Sequence, residues 1–264
     1  MKRGPRGGAL PLLVLIFAGI AGSCTDVSTS PAKAVAIEFD SLPYPSVVTG
    51  DTLRDSLGRV APLHALAFNS AGALIVNPAI TYIALDTGVT IDPTGIVTAQ
   101  MKNGLVRIVA SASGLQSVSN TITVSRRPDN VIATRVTDTT LAYTIPDSAA
   151  TNVTALLGVR VVTNDTSGGI TGTQGWLVSY QVLLHGQPLS PSDTTLASLW
   201  GEGTTITAVD TTAADGTAGR RLRVRSLLLV PTKPDTFIVK ATVRYRGAAV
   251  PGSPVVFIIS TRPK

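Results

Sequence analysis

The chain has 264 residues, of which 44% are hydrophobic and 14% charged, with 22 lysines and arginines against 16 aspartates and glutamates. This length suffices for one or two domains with a substantial core, and the low charge content excludes an intrinsically disordered protein. One cysteine cannot form an internal disulfide or a cysteine-based zinc cluster, and two histidines leave little room for imidazole chemistry. We therefore expect no metal and no cofactor.

Residues 1–23 have the pattern of a cleaved secretory signal peptide. Three basic residues precede the apolar run 9–22, which ends in small side chains. The run is shorter than the roughly 20 residues that a helix needs to cross a bilayer. Cleavage would leave 19 basic against 16 acidic groups, and this small excess gives little reason to expect a nucleic-acid partner.

The segment Ala21-Gly22-Ser23-Cys24 resembles the lipobox of bacterial lipoproteins, although that family usually has leucine where this chain has Ala21. The resemblance implies a signal peptide that ends at residue 23, a lipid-modified Cys24 and a membrane as partner. Thr25 in place of an aspartate favours the outer membrane. The alternative is an ordinary secretory signal followed by an incidental thiol. Residues 24–33 are small and polar, which is typical of a flexible tether.

The rest of the chain is predicted to be all-β. Apolar residues alternate with polar ones at Val106, Ile108 and Ala110, and again along 237–245. Such a period of two places one strand face in a core and the other in water. Turn-forming pairs of Gly, Pro, Asn and Asp separate the short strands, a pattern that favours a sandwich or barrel.

A domain boundary is predicted near 126–130, where charge, proline and turn-forming residues lie between two strand-rich regions. It divides the chain into a domain at 34–126 and a larger one at 127–264. The first matches the roughly 100 residues of an immunoglobulin-like sandwich, whereas the second needs additional strands or long loops.

Two turn motifs resemble bacterial immunoglobulin-like domains. The segment Ile91-Asp92-Pro93-Thr94-Gly95-Ile96-Val97-Thr98-Ala99, with the strands around it, is similar to the group 2 domains. The segment 209–218, which contains Asp215-Gly216, is similar to the group 1 repeats of invasin and intimin. These resemblances imply two tandem immunoglobulin-like β-sandwiches.

The aromatic residues Trp176 and Tyr180 share one parity with the aliphatic residues Val178 and Val182. This parity favours burial in a core that lacks the disulfide of antibody domains. The alternative is an exposed platform on which a carbohydrate stacks.

Five arginines on two predicted strands could form a basic face for an anionic ligand, if the strands lie in one sheet. They are Arg221, Arg223, Arg225, Arg244 and Arg246. The alternative is a solvated outer face that discourages edge pairing. Calcium at Asp193, Asp210 and Asp215 is less favoured than turns in which the aspartates bind nearby amides.

No nucleophile elbow, zinc-protease motif, Walker loop or dinucleotide-binding pattern occurs, and His64 and His185 lie in different predicted domains. The sequence therefore predicts a non-enzymatic, lipid-anchored envelope protein that serves as an adhesion module or spacer, with an unknown protein or glycan partner. The alternative is a periplasm-facing accessory lipoprotein that scaffolds an envelope assembly.

Overall fold

The structure is a computed structural model that describes residues 33–100, 103–145, 151–165, 168–191, 195–225 and 235–264. The predicted signal peptide, the lipid-attachment residue Cys24 and the tether up to residue 32 lie outside the described residues. Within the described ranges, no helix is long and apolar enough to span a membrane. The regular secondary structure of the described residues is β-strand apart from one short 3₁₀ helix, as predicted.

Nine strands build the N-terminal sandwich. They are β1 (Ala36–Ser41), β2 (Ser46–Val48), β3 (His64–Phe68), β4 (Thr81–Ala84), β5 (Val89–Ile91), β6 (Val97–Ala99), β7 (Gly104–Ala112), β8 (Leu115–Gln116) and β9 (Asn120–Ser125). One sheet has the order β2-β9-β7-β4, with β8 beside β7, and the remaining strands form the two pairs β1-β3 and β5-β6.

Twelve strands and one short 3₁₀ helix, Glu202–Thr204, build the C-terminal sandwich. The strands are β10 (Asn130–Ala133), β11 (Asp138–Tyr143), β12 (Leu157–Asn164), β13 (Ile170–Gly172), β14 (Leu177–Leu184), β15 (Gln187–Pro188), β16 (Ala197–Trp200), β17 (Val209–Thr211), β18 (Thr217–Val224), β19 (Thr236–Tyr245), β20 (Ala248–Ala249) and β21 (Val255–Pro263). No strand in the described ranges pairs across the two sandwiches.

The strand order of the C-terminal sandwich is that of an immunoglobulin-like fold. One sheet has the order β10-β12-β18-β16 and the other the order β11-β21-β19-β14-β15. In the usual lettering these are the A-B-E-D and A′-G-F-C sheets. The N-terminal sandwich repeats two of these features, since β1 pairs with β3 antiparallel and β2 pairs with the last strand, β9, in parallel.

The predicted alternation is confirmed in the long strands. Along β19 the odd-numbered Phe237, Val239, Ala241 and Val243 are buried, whereas the even-numbered residues between them are not. Val106, Ile108 and Ala110 of β7 are likewise buried. Most of the buried apolar side chains of both sandwiches belong to one continuous cluster.

A buried ion pair links the two sheets of the C-terminal sandwich. Arg220 Nη1 on β18 donates to Asp210 Oδ2 on β17 at 2.8 Å, and Nη2 donates to the carbonyl oxygen of Val209. The same Asp210 oxygen accepts the Gly219 N–H at 2.7 Å. Because β17 pairs with β14 of the opposite sheet, this contact bridges the sheet edges in a chain that has no disulfide.

The two turns that resemble motifs of bacterial immunoglobulin-like domains have the same local hydrogen bonds. Asp92 Oδ1 accepts the N–H and the hydroxyl of Thr94 at 2.8 and 2.6 Å. Asp215 Oδ1 accepts the N–H and the hydroxyl of Thr217 at 2.9 and 2.6 Å. Gly216 has φ of +81°, a conformation that suits glycine. Each aspartate therefore acts as a turn-former.

Candidate functional site: the joint between the sandwiches

Three aromatic rings from both sandwiches meet at the joint. The Trp176 ring packs edge-on against Tyr44 on one side and Tyr245 on the other, with centroids 5.9 Å apart and planes at 68° in both pairs. Trp176 Nε1 donates to Ser125 Oγ at 3.2 Å, and the Leu177 N–H donates to the Tyr44 hydroxyl at 3.0 Å. Trp176, which precedes β14, is therefore shared between the two sandwiches.

The carboxylate of Asp51 is the polar centre of the joint. It lies in the segment after β2 and forms a bidentate pair with Arg246 of the other sandwich, at 2.9 Å from Nε and 2.8 Å from Nη2. The Tyr245 hydroxyl donates to Oδ2 at 2.9 Å. Within its own sandwich, Asp51 accepts the Thr52 N–H at 2.8 Å and Arg54 Nη2 at 3.3 Å.

The electrostatics of the joint keep this carboxylate ionised. Burial alone would raise the pKa of Asp51, but hydrogen bonds from Arg246, the Thr52 amide, Arg54 and Tyr245 together hold it well below its usual value. Burial raises the pKa of the Tyr44 phenol to about 12. The joint thus combines one permanent negative charge with neutral phenols, and its charge is constant at physiological pH.

The backbones at the joint approach so closely that two positions require glycine. A Cβ on Gly58 would lie 2.2 Å from the carbonyl carbon of Arg246. A Cβ on Gly175 would lie 3.0 Å from side-chain atoms of Ser46 and Thr123. Gly58 and Gly175 have φ of +86° and +81°. A side chain at Gly58 would force the two backbones apart, whereas one at Gly175 would be strained by its φ and would require small shifts of Ser46 and Thr123.

The segment between β9 and β10 also contacts the joint. The guanidinium of Arg127 lies 5.5 Å from the centroid of the Tyr245 ring, and that of Arg246 lies 5.4 Å from the same centroid. The cavity bordered by Tyr44, Asp51 and Trp176 has a volume of about 30 Å³, which is room for about one water molecule. This part of the joint therefore packs the two domains together and has no space for a larger ligand.

The alternative of a carbohydrate platform at Trp176 and Tyr180 is wrong, because each of these residues is 3% exposed. Burial was predicted correctly for both residues, but the sequence did not indicate that Trp176 packs between two domains. Tyr180 lies inside the C-terminal sandwich near Asp210 and Arg220, and burial raises the pKa of its phenol.

The structure does not bring the five predicted arginines onto one face. Arg221 and Arg223 belong to β18 and Arg244 to β19, and these strands lie in different sheets. Arg223 is only 1% exposed, since its guanidinium packs against the Trp200 ring and donates to the carbonyl of Asn152. The guanidinium of Arg246 is bound to Asp51. Arg221 and Arg244 are exposed and Arg225 is partly exposed.

The two histidines are exposed. His64 Nδ1 is 3.3 Å from Asp40 Oδ2, and His185 Nε2 is 3.0 Å from Asp235 Oδ1. In the part of the chain that the structure describes, no group of three or more His, Cys, Asp or Glu residues is placed to hold a metal ion. Of the calcium candidates, Asp210 binds Arg220, Asp215 forms its turn, and Asp193 lies outside the described residues.

Sequence reasoning did not identify Asp51, Tyr44 or Gly58 as joint residues. Asp51 and Arg246 are 195 positions apart, and neither has a local pattern that names its partner.

The chain matches no family model and no curated protein. Among solved structures it is similar to domains 4 and 5 of the S-layer protein SbsC, at 12% identity and a TM-score of 0.30, over 86% of this chain and 96% of that one. It is also similar to the Yersinia pseudotuberculosis adhesin InvE, at 13% identity and a TM-score of 0.30, over 86% of this chain and 58% of that one. The D0-D1 domain of intimin is similar at 14% identity and a TM-score of 0.25, over 85% of this chain and 98% of that one. These scores carry no argument about function, and the fold described above rests on strand order.

Proposed function

We propose that this chain is a non-catalytic cell-envelope protein, anchored by lipid at Cys24 and exposed at the outer membrane, in which two immunoglobulin-like sandwiches form a rigid spacer and adhesion module. The observation that supports this proposal is the joint. A spacer must hold its distal domain in a fixed direction, and the contacts of Trp176, Asp51 and Gly58 oppose bending between the sandwiches.

Distance measurements on the spin-labelled chain test the rigidity. Nitroxides at Val118→Cys and Ile258→Cys, in a Cys24→Ala background, should give one narrow distance distribution. We expect the added double substitution Asp51→Asn and Arg246→Gln to broaden that distribution. Arg221→Gln is the matched control, since Arg221 is an exposed arginine of β18. A broad distribution in the chain with the native joint would reject the rigid spacer.

Metabolic labelling with palmitate tests the anchor. The full-length chain should lose the mass of residues 1–23 and incorporate label, and the Cys24→Ala variant should not incorporate it. An unlabelled, cleaved product would make Cys24 incidental and the protein a secreted or periplasmic module.

Protease treatment of intact cells distinguishes an adhesion module from a periplasm-facing accessory lipoprotein, because only a surface-exposed chain is cleaved. A protected chain would favour the scaffolding role.

A further inference from the structure

Three segments meet at the end of the N-terminal sandwich that lies away from the joint. The Val35 N–H donates to the Phe68 carbonyl at 2.8 Å, so the start of the described chain lies beside the end of β3. On the neighbouring sheet, Ser111 pairs with both Thr81 and Gln116. Residues 33–37, 69–80 and 113–119 therefore share this end, which we call the apolar end.

The apolar end exposes large aliphatic side chains at its loops. Val118 is 88% exposed and Val76 is 82% exposed, and Leu74 and Val35 are 54% and 44% exposed. Side chains of this kind on several separate segments at one end mark an interaction site more strongly than scattered single residues do.

The same end has almost no charge. Lys33 is the only charged residue in 33–37, 69–80 and 113–119, and the other polar residues there are Ser, Asn and Gln. The segment that reaches the joint, 51–59, contains two aspartates, Asp51 and Asp55, and two arginines, Arg54 and Arg59. These charges of the N-terminal sandwich therefore lie away from the apolar end. The low charge of the apolar end suits a membrane surface, because anionic lipids would repel a carboxylate there.

The position of the predicted anchor indicates what covers this end. Lys33 is nine positions after Cys24, and nine residues extend over at most about 30 Å. A chain held at Cys24 thus keeps the apolar end close to the bilayer, at a high effective concentration.

We propose that the apolar end docks on the surface of the bilayer that holds the lipid of Cys24, with Val76 and Val118 at the boundary between headgroups and acyl chains and Lys33 near anionic headgroups. This docking rests on the lipid anchoring of the proposed function and adds an orientation to it. An apolar surface beside a cation binds such an interface through buried area and electrostatic attraction. With the rigid joint, docking directs the C-terminal sandwich away from the membrane.

Fluorescence of the lipidated chain tests the orientation. Because the Cys24 sulfur is blocked by lipid, a cysteine introduced at Val76 or Val118 is the only free thiol and can take an environment-sensitive fluorophore. The chain is reconstituted in vesicles of phosphatidylethanolamine and phosphatidylglycerol that contain a nitroxide lipid quencher. Val136→Cys is the matched control, a valine of the C-terminal sandwich that is 75% exposed.

We expect lipid-dependent quenching at positions 76 and 118 and none at position 136. Chains that float with the vesicles while position 76 stays as unquenched as position 136 would overturn the docking and leave the anchor intact. A blue-shifted label in the absence of vesicles would also overturn it, because a second copy of the chain would then cover this end.

Partitioning of the unlipidated chain tests the surface without the anchor. We expect the mature Cys24→Ala chain to float weakly with the same vesicles at high lipid concentration. Val76→Ser with Val118→Ser should lower this partitioning by about tenfold, and Val136→Ser should not change it. Equal partitioning of the double variant and the Val136→Ser control would overturn the docking, whatever the outcome of the palmitate labelling. Because all three valines are exposed, we expect these substitutions to leave the fold unchanged, which circular dichroism of each variant checks.

Discussion

In both sandwiches an early strand pairs antiparallel and the next strand pairs in parallel with the last strand, but the sheet edges are closed differently. The C-terminal sandwich has a continuous β10-β12-β18-β16 sheet, whereas the corresponding strands of the N-terminal sandwich are split into β1-β3 and β5-β6. In the C-terminal sandwich a buried Arg220–Asp210 pair bridges the sheets. In the N-terminal sandwich the bidentate Arg107–Asp86 pair lies on the outside, with side chains 57% and 32% exposed. The same pair of residue types thus closes an edge in one domain and lies on the surface of the other.

The largest expected effect comes from breaking the buried pair. Arg220→Met would remove the cation that faces the Asp210 carboxylate and the donor to the Val209 carbonyl, and we expect a loss of about 3 to 5 kcal/mol in the free energy of unfolding. Trp200 lies in β16 of the C-terminal sandwich, so its fluorescence in urea follows this domain, whereas that of Trp176 also reports on the joint. Arg221→Met, at the exposed neighbouring position, is the control and should change stability little. A small loss for Arg220→Met would mean that the pair does not hold the sheets together.

Two glycines of the C-terminal sandwich, Gly216 and Gly186, have nearly equal φ but different surroundings. They separate the cost of the backbone conformation from the cost of a close contact. A Cβ on Gly216, at +81°, would lie 2.4 Å from the Val161 carbonyl oxygen, whereas one on Gly186, at +78°, would meet nothing within 4 Å. We expect Gly216→Ala to cost about 2 to 4 kcal/mol and Gly186→Ala about 1 kcal/mol. Urea unfolding followed by tryptophan fluorescence measures both. Equal losses would show that backbone conformation alone, without the contact to β12, decides the cost.

The elements of the fold that the sequence predicted are those with a local signal. Alternation along 237–245 gave β19 and its buried face, because a strand places every second side chain on the same side. The Asp92 and Asp215 turns were predicted from residues that are close together in the sequence. In each turn the aspartate side chain binds the threonine two positions later. A period of two could not show that Arg223, on the outward parity of β18, is covered by its contacts with Trp200 and Asn152.

The joint could not be predicted for a different reason. Its contacts pair residues from the two domains, such as Tyr44 with Trp176 and Asp51 with Arg246. Each residue has an ordinary explanation within its own domain, and only the position of one sandwich against the other brings them together. Arg246 was therefore assigned to a basic face, although its guanidinium is bound to a carboxylate of the other domain.

Acid sensitivity should be alike in the two sandwiches, because their turns have the same chemistry. The hydroxyl of Thr217 lowers the pKa of Asp215, and the hydroxyl of Thr94 with the Ile96 amide lowers that of Asp92. A carboxylate whose folded pKa is lowered stabilises the fold above its usual value, about pH 4, and this contribution is lost as the pH falls through the folded pKa. We expect Asp215→Asn and Asp92→Asn each to lower the melting temperature at neutral pH by about 2 to 4 °C.

The same two variants should also flatten the fall of melting temperature below about pH 4. Thermal unfolding followed by circular dichroism between neutral and acidic pH measures the slopes. A flattened slope for one variant only would show that the two turns, despite equal hydrogen bonds, differ in their importance for folding.

The smallest effect is expected at the exposed pair of the N-terminal sandwich. Hydrogen bonds from Arg107 hold the pKa of Asp86 well below its usual value, so both groups are charged at neutral pH. Water and salt screen an exposed pair, and ordering two long side chains offsets much of their attraction. We therefore expect Arg107→Gln to leave the melting temperature nearly unchanged, both in dilute buffer and in concentrated salt. A clear loss in dilute buffer that disappears in salt would instead show that this surface pair closes the N-terminal sandwich as Arg220 and Asp210 close the other.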